Sequence, residues 1–236
     1  MVGVVLWAPV AAIDLAVEGG VTWAGAGFML GSAVLHIFYY GALQSGYRHG
    51  DLSVVYPLAR GSGPVLSVTA AILFLGERPS ALGLAGGGLI VLGVFALAVG
   101  SSAGIAWGLL TGAFIAAYTV WDAHAVDALK QPPALYFWGS GLGMALLLAP
   151  RARGARRTWE TQKPAVLGVG ALSPIAYVLV LFALTRAPVS LVAPVRESSV
   201  VVGALLGARV LGEGHMGRRI AAATAIALGI AGLAVS

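Results

Sequence analysis

The chain has 236 residues, 59% of them hydrophobic and only 10% charged, with a net charge of +5 and a mean hydropathy of +0.92. Soluble domains carry about 25% charged residues, so a water-covered globule is excluded and lipid must cover the apolar surface. The excess positive charge falls mostly in one short stretch, without a basic face interleaved with aromatics, which excludes nucleic acid as a main partner.

A membrane helix needs about 20 mainly apolar residues. Nine segments meet or approach that length, at roughly 2–17, 21–43, 52–75, 80–99, 103–121, 133–149, 164–184, 188–211 and 218–235. The first lacks the basic start of a secretory leader and reads as a membrane span. Short connections carry the turn residues: Glu18-Gly19-Gly20, Ser45 to Asp51, Arg78-Pro79-Ser80 and Gln131-Pro132-Pro133. The one longer connection, Arg151 to Lys163, is too short for a soluble domain. The class is an all-α polytopic membrane protein.

Residues 51–99 and 188–235 read alike. Each has a Leu-Gly-Glu closing its first helix, ending at Glu77 and Glu213, with Arg60 and Arg196 each 17 residues earlier. Pro57 and Pro194 fall one residue out of step. A looser match sets Tyr40 and the helix after it against Tyr177 onward. The chain therefore reads as a duplication, 1–99 with four spans and 100–236 with five, the helix at 103–121 having no partner. Equivalent helices lie five spans apart, an odd number, and so cross the membrane in opposite directions. That is an inverted five-helix repeat lacking its first helix.

These features resemble the drug/metabolite transporter superfamily, specifically its EamA-type permeases. The likeness is carried by Tyr56-Pro57-Leu58-Ala59-Arg60-Gly61 with Pro64, by Leu75-Gly76-Glu77, and by the glycine-rich helix from Leu82 to Gly93. In the second half it is carried by Ala116-Ala117-Tyr118-Thr119 before Trp121-Asp122, by Ala193-Pro194-Val195-Arg196-Glu197-Ser198, and by Leu211-Gly212-Glu213. The resemblance implies a permease of ten helices whose first lines the central cavity, and a cytoplasmic C-terminus. It sets the expectation that a further hydrophobic segment is encoded upstream of Met1.

Charges inside spans are costly and therefore informative. Arg60 lies eight residues into its helix, about 12 Å deep at ~1.5 Å per residue, and Arg196 and Glu197 lie at similar depth. Two readings stand: guanidinium groups that meet an anionic solute, or a structural pair neutralised by Glu197. The candidate substrate-binding residues are Arg60, Arg196, Glu197, His36, Tyr40, Tyr118 and Tyr177. His36, deep in its span, suits either proton coupling or hydrogen-bonded scaffolding. Tyr39, Trp121 and Asp122 read as ordinary span-end residues. Pro57, Gly61, Pro64 and Pro194 read as kinks or as the broken helices of transporters. Glu77 and Glu213 read as structural hinges that help start the following helix. Arg209 reads as an i,i+4 partner of Glu213, and Asp14 has no evident partner. The glycines at 83, 86 to 88 and 93 indicate close helix packing.

Neither cysteine nor asparagine occurs, which removes disulfides, thiolate chemistry and N-glycosylation. No Walker loop or metal-ligand spacing is present, so no cofactor is expected and the chain is not read as an enzyme. Twelve arginines beside two lysines, with abundant Ala and Gly, point to a GC-rich bacterial gene and a multi-pass protein of the inner membrane. The reading is a permease that moves a small polar or amphipathic metabolite or drug by alternating access between the two repeats. Energy would come from the solute gradient or from a coupling ion or proton. The expected partners are a small-molecule substrate and the lipid bilayer, and a homodimer is compatible with the sequence. The rival readings are a membrane-embedded enzyme acting on a lipid-linked substrate through Arg60, Glu197 and Asp122, and a truncated, non-transporting subunit. The loops after the second, fourth, sixth and eighth spans carry eight Lys/Arg against three in the alternate loops. Positive-inside bias then places the N-terminus in the cytoplasm and the C-terminus outside, opposite to what the resemblance implies for the C-terminus.

Overall fold

The computed structural model describes residues 2–50, 52–97, 104–152, 154–198 and 216–234. Glu213, Arg209 and most of the expected span 188–211 lie outside the described residues, as do Arg153 and the side chains of Pro57, Arg218 and Arg219. What is described is helical: α1 (Val2–Glu18), α2 (Trp23–His49), α3 (Leu52–Phe74), α4 (Ala81–Leu97), α5 (Ile105–Ala123), α6 (Pro133–Leu148), α7 (Ala155–Leu184), α8 (Val189–Val195) and α9 (Met216–Ala234). Among the described residues, four stretches are long and apolar enough to cross a bilayer: Trp23–His49, Ile105–Ala128, Pro133–Arg151 and Ala155–Leu184. Large apolar side chains such as Val17, Phe74, Val169 and Leu179 remain exposed, as a lipid-facing surface requires.

Helix starts follow local chemistry. Thr22 caps α2 by accepting the Gly25 N–H at 3.0 Å, and Ser80 caps α4 by accepting the Gly83 N–H at 2.9 Å. Two other starts are capped from a distant helix. Asp14 of α1 accepts the Leu135 N–H of α6 at 2.9 Å. Glu77, just past α3, accepts the N–H groups of Val189 and Ser190 in α8 at 2.7 and 2.9 Å. Glu77 therefore does not start the helix that follows it, since Ser80 already does. Gly76, at φ +69°, makes the left-handed turn that presents it. A carboxylate at an orphaned helix N-terminus also meets the favourable end of the dipole.

Residues 155–163, expected in a loop, are instead the first turns of α7. The break falls at Gln162 (φ −132°, ψ 31°). Pro164 cannot donate to the carbonyl four residues back, and its ring crowds that turn. α3 runs as one helix through Pro57 and Pro64. α8 instead gives way just after Pro194, where Arg196 and Glu197 form a turn.

The described residues fall into two compact units, one of Met1–Ile37 and Trp121–Arg186, the other of Phe38–Val120 and Ala187–Ser236. Each takes helices from both sequence halves. In the first unit α1 packs antiparallel to α6: Asp14 meets Leu135, while the Trp138 indole donates to the Val4 carbonyl at 2.9 Å. In the second, α3 lies against α8 in the same sense, Glu77 meeting Val189 and Arg60 meeting Glu197. There too α4 packs antiparallel to α9 around a core of Ile90, Val94, Ile226 and Leu233. Glycine permits that seam: a Cβ at Gly86 would stand 2.8 Å from the Gly229 carbonyl oxygen, and one at Gly93 2.9 Å from that of Ala222.

Candidate functional site

In the second unit, α3, α5 and the end of α8 bring charges together. The Arg60 guanidinium lies 3.5 Å from Glu197 Oε1; their side chains are 29% and 4% exposed. At that distance the contact is an ion pair without the short hydrogen bond of a tight bidentate fork. Arg60 also lies over the Tyr56 ring, 5.6 Å from its centroid. Glu197 Oε2 is buried and has no hydrogen-bond partner among the described residues.

Arg196 is held from α5. It donates to Thr119 Oγ1 at 3.2 Å and to the Tyr118 hydroxyl at 3.3 Å, and it sits 5.9 Å from the Tyr118 ring centroid. Tyr39 of α2 meets Tyr118 edge to face at 5.6 Å, and Tyr40 packs on Tyr39 at 4.8 Å. Arg60 and Arg196 together outweigh Glu197, so an anionic group is favoured here. The bare Oε2 of Glu197 offers a place for one added donor.

The first unit holds a second polar cluster, centred on Asp122. This carboxylate is fully buried. Its Oδ1 accepts the Tyr136 hydroxyl at 2.7 Å and its Oδ2 the Tyr177 hydroxyl at 2.5 Å. Ser32 and His36 of α2 also act on it. The His36 ring meets Tyr177 edge to face at 5.5 Å.

Arg60, Arg196, Glu197 and Tyr118 thus share one cluster, with Tyr40 joined through Tyr39. His36 and Tyr177 belong to the other. Tyr39 and Asp122, read from sequence as span-end residues, are instead part of these clusters. Asp122 was misplaced because α5 does not stop at residue 121. It runs to Ala123 and on through a π-turn, His124–Ala128, a form frequent at functional sites. Tyr56 and Thr119 enter the sequence reading only as motif residues, and Tyr136 not at all. Thr119 was findable, as the neighbour of Tyr118 on a helix facing an intramembrane arginine.

Residues 102–235 match the model of the EamA-like transporter family. No curated protein matches in sequence. Fourteen chains of known structure match. One, a crystal structure of a protein without a stated function, superposes with a TM-score of 0.77 at 21% identity, over 99% of this chain and 85% of its own. That likeness concerns the fold.

Proposed function

Because the chain belongs to the EamA-like transporter family, as a match over more than half its length establishes, we propose that this multi-pass membrane protein is a permease for a small amphipathic solute bearing a carboxylate or similar anionic group. The observation that carries the reading is the cluster of Arg196, Arg60 and Glu197, two cations against one anion, with a carboxylate oxygen left unpartnered. The solute's anionic group would bind the guanidinium groups. Its amine or hydroxyl would donate to Glu197, and an apolar remainder would lie on the rings of Tyr39, Tyr40 and Tyr118.

Transport would proceed by alternating access between two inverted repeats in the bacterial plasma membrane. Support for the repeat comes from the pairing of helices that are equivalent in sequence. α1 lies against α6, α3 against α8 and α4 against α9, each antiparallel, as inverted copies would be. The carboxylate caps fit the same scheme, since Asp14 and Glu77 each close the N-terminus of the equivalent helix.

The test is uptake into proteoliposomes of a labelled panel: a monocarboxylate, a dicarboxylate, a zwitterionic amino acid and a quaternary ammonium cation. Carboxylate-bearing members should enter above the empty-liposome level. Uptake of the cation alone, or of nothing, overturns the reading.

A further inference from the structure

Asp122 and Glu197 are both buried carboxylates, but their partners differ in kind. Glu197 is neutralised by Arg60. Asp122 has no lysine or arginine paired with it among the described residues. The titratable groups that face it are Tyr136 from α6, Tyr177 from α7 and His36 from α2, with the Ser32 hydroxyl beside them. A carboxylate kept permanently charged at membrane depth needs a cation. One surrounded by hydroxyls and an imidazole is suited to gaining and losing a proton.

The hydrogen bonds accommodate both states. With the carboxylate ionised, Tyr136 and Tyr177 donate to its two oxygens. The Tyr136 hydroxyl also has a second acceptor, the Phe28 carbonyl, at 3.2 Å. When a proton arrives on Oδ1, the new carboxyl O–H donates to the Tyr136 oxygen, and the tyrosine hydrogen turns to Phe28. One proton is added, no bond to carbon changes, and no buried donor is orphaned in either state.

His36 is the nitrogen-bearing neighbour of this carboxylate on α2. Its Nδ1 lies 2.9 Å from the Ser32 carbonyl, which can only accept, so Nδ1 carries the hydrogen. The ring is half-buried, whereas Asp122 is sealed.

We propose that Asp122 is a reversible proton-binding site, and that the permease takes on its coupling proton there. The coupling role rests on the permease reading; proton binding does not. The proton site is tested by pH-difference infrared spectroscopy of the purified full chain in nanodiscs, with H⁺ and D⁺ as the probes. A carboxylic C=O band should appear and disappear reversibly with pH, persist in Glu197→Gln and vanish in Asp122→Asn. Should Asp122→Asn fail to fold, His36→Gln and Tyr177→Phe keep the carboxylate. Each should move the midpoint by about one pH unit, roughly a tenfold change in proton affinity. No band dependent on Asp122, or midpoints unmoved in both variants, overturns the site.

Coupling is then read in proteoliposomes under an imposed pH gradient, with whichever panel solute enters. Wild type should concentrate it above the bath, and Asp122→Asn should bring it only to the bath level. Equal accumulation by both overturns the coupling role and leaves the permease standing. If no panel solute enters, the coupling role falls with the permease reading, while the infrared titration still decides the proton site.

Discussion

Arg60 and Glu197 make a pair in which one partner is 29% exposed and the other nearly sealed, so their removals are unequal. Arg60→Ala strips the buried Glu197 carboxylate of its ion-pair partner and leaves only the more weakly acting Arg196, a defect of the kind that typically costs about 3–5 kcal/mol. Arg60→Ala combined with Glu197→Ala removes the stranded charge as well. The double variant should recover monodisperse protein and most of the melting temperature while remaining inactive in transport. Size-exclusion and thermal-melting profiles check this. A double variant no more stable than Arg60→Ala would mean that the pair is not the arginine's structural role. This pairing was legible in the sequence, because intramembrane charges must find partners and only Glu197 stood at matching depth. The Asp122 cluster was not legible, because its meaning depends on where α5 ends, and helix ends are what periodicity fixes least well. Tyr136 carries no motif at all; its role is set by tertiary contact with Asp122 and Phe28.

Most of the helices are found in the sequence at nearly their full extents, since runs of apolar residues between Gly-, Pro- and Ser-rich turns leave little choice. Their mutual capping is another matter. Asp14 and Leu135, like Glu77 and Val189, are over a hundred residues apart, and no local pattern announces such a bond. Glu77→Ala leaves the Val189 and Ser190 N–H groups without their acceptor. By the usual value of a cap it should cost about 0.5–2 kcal/mol, seen as a lowered melting temperature that Glu77→Gln partly restores. A melting temperature unchanged in Glu77→Ala would show the cap to be idle. The α4–α9 seam is a steeper test. Gly93→Leu puts a side chain where even a Cβ would meet the Ala222 carbonyl and Ile226, so folded yield should collapse. Gly88→Leu on the same helix, where nothing lies within 4 Å of the added Cβ, should be tolerated. Equal yields of the two variants would contradict the packing.

For the whole molecule, the sequence indicated an all-helical membrane protein, and the fold bears this out. It is less decisive about sidedness. The segment from Arg151 to Lys163 carries five of the 14 basic residues, and anionic inner-leaflet lipid adds about 1 kcal/mol per nearby basic residue. That segment should be cytoplasmic. Arg156, Arg157 and Lys163 of this segment lie in the helical start of α7, with Lys163 over the Trp159 ring. A reporter inserted after Gly154 should report the cytoplasm, and one after Ser236 the outside if all spans form. Periplasmic activity at the first position would show that charge bias does not govern this chain. The central claim is that the solute's anionic group binds at Arg196 and its neighbours. Counterflow of the transported carboxylate in proteoliposomes, compared between wild type and a folded Arg196→Gln variant, tests it most directly. Loss of hydrogen bonds to a charged group, about 1.5–3 kcal/mol, should cut exchange roughly 10- to 100-fold, whereas exchange equal to wild type would contradict the account.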